Sequence, residues 1–446
     1  MALLHKTQPR SIEERFPELQ GLGLTEKQML SYSRFRWWRV VAMAAVWYSF
    51  YYLGRLNWGF CLPWIIKDLG ITKLQAGMGA TAILWAYALG VFLSGRLADK
   101  YGARVMDTVG GLGTTVMNLI VASLSSLNAI LGALFLNGFV QGKAYASTNG
   151  MISQWFPKAK RGEATGVYAS SMGISTLVVW LITGYFATHY GWRAAFTYPL
   201  LLCTLPATIV LFFVVRSKPQ DAGFPAYRET MRESISAQAE RYTDEQTRGV
   251  RAWKLLFGNW KFTSYAVASF LLYIGRYGLL TWIPLYYAET SGIKLDKIPA
   301  ATVALPLGMM VGPMVAGYVS DTFFHAKRFQ VLNIYMSCFI AVMLTMGHFG
   351  VKQIGVPESA VLLVLGGFFV LGAIGDLFTA ACDFGGRKMA ATAVGCIDLF
   401  NYLGAGLQGV LIGALLQYTH NDWPLVFYVL SGSTAVGLLL VNLVRE

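Results

Sequence analysis

Phe50-Tyr51-Tyr52-Leu53-Gly54-Arg55 is answered 221 residues later by Leu271-Leu272-Tyr273-Ile274-Gly275-Arg276. Each stretch places a permanently charged guanidinium inside an apolar run. In hydrocarbon such a charge costs roughly 3 kcal/mol on insertion scales, so something must compensate it. An anionic ligand would serve, because the planar fork of arginine matches the oxygens of phosphate or carboxylate. Further landmarks recur in the same order: Gly95 to Asp99 (GRLAD) with Gly317 to Asp321 (GYVSD), Arg161 to Thr165 with Lys388 to Thr392, and Trp192 with Trp423. The offsets run 221, 222, 227 and 231, a drift that loops absorb. The chain reads as a duplicated unit.

Composition sets the solvent. Of 446 residues, 55% are hydrophobic and only 13% charged, against about 25% charged in a soluble domain. Stretches long enough to cross a ~30 Å hydrocarbon core lie at about 39–65, 76–95, 105–125, 128–155, 164–188, 194–215, 262–287, 299–319, 329–349, 359–382, 389–416 and 424–443. The expected fold is an all-α membrane protein of twelve transmembrane helices in two pseudo-symmetric six-helix halves. Residues 1–38 form a tail, 39–215 the first half, 216–261 a mobile polar linker and 262–446 the second half. A site near the midplane, between the halves, is the plan of transporters built from parallel repeats.

The net charge of +13 would suggest nucleic acid in a soluble chain, but its distribution decides otherwise. Arg55, Lys143 and Arg276 lie within spans, and Lys67, Lys73, Arg193, Lys294, Lys297 and Lys352 lie on the side away from the termini. The remaining Lys and Arg fall on the side of the termini, which places both ends in the cytoplasm. The polar first thirty or so residues contain no cleavable signal pattern. Thr25 to Arg36 reads as a short amphipathic helix lying on the membrane surface. Cys61, Cys203, Cys338, Cys382 and Cys396 are scattered singly, as packing residues are. No metal spacing, nucleotide loop or HExxH pattern occurs in a fitting context. Neither an enzyme nor an ATP-driven pump is supported, and no metal, cofactor or nucleic-acid partner is expected.

Gly95-Arg96-Leu97-Ala98-Asp99-Lys100-Tyr101-Gly102-Ala103-Arg104 closely resembles the signature loop of the major facilitator superfamily. Its glycines permit a tight turn and Asp99 can cap or pair with basic neighbours, so Gly95, Asp99, Lys100, Gly102 and Arg104 are read as a cytoplasmic gating motif. Tyr51 to Asn57, Arg276 to Pro284, Lys218 to Pro225 and Leu399 to Gly404 are similar to the organophosphate:phosphate antiporters, a group that includes the bacterial glycerol-3-phosphate and hexose-phosphate transporters. This resemblance implies that Arg55 and Arg276 grip a phosphoryl group and that Tyr48, Tyr52, Tyr87, Tyr273 and Tyr402 line the site. Packing or an interfacial belt is the other reading of each tyrosine. It further implies a monomer in a bacterial inner membrane that exchanges a phosphorylated organic anion for inorganic phosphate by rocker-switch motion. Two landmarks differ: Val91 stands where the glycerol-3-phosphate transporter has a lysine, and Met172 where it has a histidine.

Lys143 lies mid-way along the fourth span and Asp376 in the tenth. Either Lys143 supplies the positive charge missing at Val91, or it pairs with Asp376 across the cavity, and the two readings are compatible. Asp398 is a second acid within a span, and intramembrane carboxylates are candidates for ion coupling or substrate contact. With both acids ionised, three cations leave one net positive charge, which a phosphate monoester of about −1.5 to −2 brings near balance. The expected function is transport of a sugar phosphate, glycerol phosphate, phosphoglycerate or phosphonate. A transporter-like sensor of a sugar phosphate and a proton-coupled organic-anion symporter are the alternatives.

Overall fold

The protein is described here by a computed structural model covering residues 16, 19, 22–225, 250–324 and 328–444. The chain enters the bundle through Glu26–Arg34, a helix begun by a reciprocal capping box of Thr25 and Gln28. This helix packs into the protein rather than lying free on a membrane surface. Met29 and Tyr32 are buried, and the Tyr32 hydroxyl donates to the Trp155 carbonyl at 3.2 Å.

Ten helices among the described residues are long and apolar enough to cross a bilayer. They correspond to every expected span except the first and the fourth, and those two are crossings broken into pieces. The first is built from Phe35–Ala42, Met43–Tyr51, Leu53–Phe60 and Leu62–Leu69. The fourth is Leu127–Gln141 followed, after Gly142 and Lys143, by Ala144–Trp155. Lys73–Tyr101, Ala103–Ser123, Lys158–Tyr190 and the run from Trp192 to Val214 complete the first half. Trp260–Thr290, the run from Leu295 to Val319, Arg328–Ile354 and Trp423–Leu443 belong to the second. The tenth and eleventh spans, Val356–Leu377 and Thr392–Tyr418, lie within one helical run. Leu279 touches Gly366 while Ile412 touches the adjacent Gly278, so the run doubles back between them.

Glycine contacts carry the internal duplication into three dimensions. A Cβ on Gly90 would collide with the Phe139 carbonyl and one on Gly138 with that of Ile83, so the second and fourth spans meet backbone to backbone. In the second half Gly312 meets Phe368 and Gly308 meets Val364, joining the eighth and tenth spans in the same way. Small residues are what permit such close approach between helices in lipid.

The linker-side face carries Trp155, whose indole donates to the Arg216 carbonyl at 2.9 Å. Phe224 packs edge-on against Tyr32 at 5.1 Å. The linker is thus docked where it leaves the first half instead of loose along its whole length, because its aromatic side chain finds a buried apolar seat. At its far end Val250–Gly258 is helical, and Phe257 packs against Phe400 at 5.5 Å.

The opposite, distal face holds two acid–tryptophan pairs related by the repeat. Asp68 accepts from the Trp192 indole at 2.9 Å and from Arg193. These bonds hold its carboxyl below the ordinary value, Trp192 contributing most. Its stabilisation is present above the usual carboxylate range and is lost as pH falls through the lowered value. In the second half Glu289 accepts from the Trp423 indole at 2.9 Å. Its cation, however, is Lys73 of the first half, 2.5 Å away, which also donates to Asn421 at 2.7 Å. The Glu289 pair therefore ties the halves together where the Asp68 pair does not.

Every hydrogen bond between the halves among the described residues is made at the level of Arg55 or on its distal side. Thr81 donates to the Gly406 carbonyl at 2.6 Å, Trp85 to that of Leu403 at 3.0 Å, and Trp180 to Thr302 at 3.1 Å. The bundle is closed distally. Glu289→Gln removes the ion pair across this closure, worth about 1 kcal/mol, and is expected to raise the distally open population about fivefold. Spin labels at Lys67 and Lys352 on a cysteine-free background read this as growth of a longer distance, and an unchanged distribution denies the latch.

Candidate functional site

The break in the first span is what presents Arg55. At Tyr52 the helix tightens, with the Arg55 amide bonding to the Tyr52 carbonyl at 3.0 Å, and the carbonyls loosened there need other donors. Side chains of the third and fourth spans supply them. Asn137 donates to the Gly54 carbonyl at 2.6 Å, Asn118 to the same oxygen at 3.2 Å, and Gln141 to the Tyr51 carbonyl at 3.2 Å. Thr114 donates to Asn137 at 2.6 Å and Asn57 to Asn118 at 2.8 Å, closing a buried polar network behind the arginine. A second break follows at Cys61, because Pro63 has no N–H for the Gly59 carbonyl.

The Arg55 guanidinium is clasped between aromatic faces, its carbon 4.1 Å from the Tyr52 ring centroid and 4.4 Å from that of Tyr87. Two ring faces at about 1 to 2 kcal/mol each roughly offset the insertion cost of the charge. Its Nη1 donates to the Tyr402 hydroxyl at 3.4 Å, across the interface between halves. Arg276 is held likewise, 5.4 Å from the Tyr273 centroid and 5.2 Å from that of Tyr277, with Nη1 donating to the Tyr273 hydroxyl at 3.3 Å. The Tyr402 ring stands between the two groups, 6.0 Å from the rings of both Tyr273 and Tyr277. Tyr48 lies one helical turn away, its ring 5.2 Å from that of Tyr52.

The arrangement is short of acceptors. Nε and Nη2 of Arg55, Nε and Nη2 of Arg276, the hydroxyls of Tyr52 and Tyr277, and Nδ2 of Asn401 are all buried without a hydrogen-bond partner. Asn401 is oriented by Ser269, whose hydroxyl donates to its Oδ1. Buried donors left unmade are costly, and their convergence on one place describes a site for a ligand rich in acceptors. Asp398 is the acid that both arginines act upon, and it is buried beside Asn401. With Asp398 ionised, the two arginines leave one net positive charge. A small cleft between the halves, lined by Leu56, Trp58, Ala80, Leu84 and Thr281, has Arg55 and Tyr277 on its wall.

Lys143 stands at the break of the fourth span, where Gly142 rests on the backbone of Tyr87 and Val91. It is thus next to Val91, but its ammonium lies 4.4 Å from the Phe139 ring and forms no ion pair among the described residues. Asp376 is buried beside Tyr335 of the ninth span. The Lys143–Asp376 pair is not formed in this conformation. In the loop between the second and third spans Gly102 has φ 80°, a value glycine adopts without strain. Arg104 donates through Nε to the Phe212 carbonyl at 2.6 Å, bracing the third span on the sixth. Lys100 is exposed, and its ammonium lies 5.0 Å from the ring of Tyr101. Gly95 and Asp99 fall in helix, and the Asp99 side chain lies outside the described residues.

Tyr277 and Asn401 join the site without being marked as site residues by the repeat or by the family resemblance. The repeat places Leu56 opposite Tyr277, so duplication gives no hint, whereas the helical i, i+4 spacing from Tyr273 does. Nothing in the sequence marks the Asn118–Asn137–Gln141 network as lying behind Arg55.

Residues 44–408 match the Major Facilitator Superfamily, and the chain belongs to that family. It is 27% identical over 429 residues to a probable hexose phosphate transport protein of Chlamydia pneumoniae, with 93% of each chain covered. It is 25% identical over 425 residues to the membrane sensor protein UhpC of Escherichia coli, with 94% of each covered. Among solved structures a D-xylose-proton symporter superposes with a TM-score of 0.71 at 13% identity, covering 92% of this chain and 97% of that one, which shows a shared fold. The relatives are consistent with the organophosphate:phosphate antiporter branch, and the chain is a transporter-type membrane protein rather than an enzyme.

Asn137→Leu leaves the Gly54 carbonyl without its shortest donor, an unmade buried bond costing about 1 to 3 kcal/mol. Inorganic phosphate is expected to bind the purified variant about tenfold more weakly by calorimetry, with helical circular dichroism unchanged. Equal affinity in variant and parent removes the network from the site.

Proposed function

We propose that the protein is a secondary transporter that exchanges a phosphorylated organic anion for inorganic phosphate by alternating access. The observation that carries the reading is the set of partnerless donors on Arg55, Arg276, Tyr52, Tyr277 and Asn401. A phosphoryl group is small, offers strong acceptor oxygens and suits the arginine fork. A dianionic phosphate added to Arg55, Arg276 and Asp398 carries the local charge from one positive to one negative, and a proton on Asp398 or a singly charged ester brings it to balance. The organic part, a hexose or glycerol moiety by analogy with the named relatives, rests against the tyrosine faces.

Bound phosphate bridges an arginine of each half, and that bridge lowers the barrier to reorientation that two unshielded guanidiniums otherwise raise. Exchange follows, since the empty carrier seldom turns. With both termini cytoplasmic in a bacterial inner membrane, the closed distal face is the outer one. A monomer suffices, because the site is completed by the two halves of one chain.

In phosphate-loaded liposomes the purified protein is expected to take up labelled phosphate, with hexose or glycerol phosphates competing. Arg55→Lys and Arg276→Lys should each lower exchange about a hundredfold, because a point charge cannot replace the fork. Tyr277→Phe should lower it about fivefold, the value of one hydrogen bond. Similarity to the membrane sensor gives the second reading: saturable binding without flux selects it. Neither binding nor flux with any phosphate compound overturns both.

A further inference from the structure

Asp107, in the third span one turn inside Arg104, is fully enclosed. Its Oδ1 accepts from the Ser147 hydroxyl, and its Oδ2 from that of Thr148 at 2.9 Å. No lysine or arginine pairs with it among the described residues: Arg104 is turned to the Phe212 carbonyl and Lys143 to the Phe139 ring. The titratable groups facing it are Tyr51 of the first span and Tyr168 of the fifth. No charged side chain of the second or sixth span acts on it among the described residues. A carboxylate so placed, with two hydroxyls and no counter-charge, is expensive to keep ionised.

Ser147 connects this acid to the break in the fourth span. Its Oγ is within hydrogen-bond reach of Asp107, of the Lys143 carbonyl at 2.7 Å and of the Ala144 carbonyl at 2.9 Å. A hydroxyl has one hydrogen to give. When Asp107 is ionised, Ser147 gives it to the carboxylate and the Lys143 carbonyl, the N-cap of Ala144–Trp155, keeps only its helical backbone donor. When a solvent proton binds Asp107, the new carboxyl O–H donates to Ser147 Oγ, and the serine hydrogen turns to the Lys143 carbonyl. No other bond changes, yet the hydrogen bonding of the helix break, one residue from the Gly142 contact with Tyr87, depends on that proton.

We infer that Asp107 is a proton-binding site separate from the arginine pair, and that its proton sets the hydrogen bonding of the Gly142–Lys143 break. This goes beyond phosphate exchange, giving the carrier a site through which a proton acts on the segment that seats Tyr87 against Arg55.

Infrared difference spectroscopy of the purified full-length protein, titrated without phosphate, tests the site independently of any transport. A neutral-carboxyl C=O band that grows as pH falls is expected, with a component that is lost in Asp107→Asn and retained in Asp398→Asn. Ser147→Ala removes a donor to the ionised form, so the midpoint should rise by about one pH unit, the size of one charge-assisted hydrogen bond. A band of the same amplitude in Asp107→Asn as in the parent, or a wild-type protein with no such band, overturns the site. An unmoved midpoint in Ser147→Ala overturns its link to the break. In liposomes the pH profile of phosphate exchange should flatten in Asp107→Asn, whereas an unchanged profile denies that the proton reaches the transport cycle.

Discussion

Two guanidinium groups held out of water in the middle of an apolar bundle govern the design of this protein. Neither has a carboxylate of its own: Asp398 serves both, and aromatic faces take up the rest of the cost. That solution is partial by construction. It leaves guanidinium nitrogens, two phenols and an amide unmatched in one place, and the unmatched donors hold the two halves in a relation that an oxyanion can complete.

The duplicated architecture supplies the positions, and departures from symmetry supply the function. The glycine contacts of the second and fourth spans return in the eighth and tenth, so each half is a similarly packed unit. The Asp68 and Glu289 pairs begin as equivalents, but only Glu289 takes its cation from the other half. The first and fourth spans are broken near the site while the seventh, which carries Arg276, runs from Trp260 to Thr290. Polar networks are concentrated at those breaks because a broken helix in lipid must have its carbonyls answered by side chains. Asn118, Asn137 and Gln141 answer the first break, and at the second the Ser147 hydroxyl lies between Asp107 and the Lys143 carbonyl.

Much of this was legible in the chain itself. Membrane spans follow from apolar length, duplication from the constant offset, and Arg55 and Arg276 from the high cost of charge in hydrocarbon, all properties that hold before folding. The aromatic cluster was partly legible, through its resemblance to a known family and through helical spacing. The partners of the acids were not. Lys143 and Asp376 suggested a pair on sequence grounds, yet pairing depends on which way each broken helix turns its side chains. In the structure it is Asp398 that faces the arginines, with Asp376 beside Tyr335.

Sequence alone determined that this is a helical membrane protein of two like halves with a cationic centre, because hydropathy, repeat and charge are written residue by residue. Tertiary structure decided which donors are left over, which acid counters the arginines, and which face is closed. Those properties belong to contacts between residues hundreds of positions apart, such as Arg55 with Tyr402 and Lys73 with Glu289. Such contacts exist only once helices have been broken, rotated and packed.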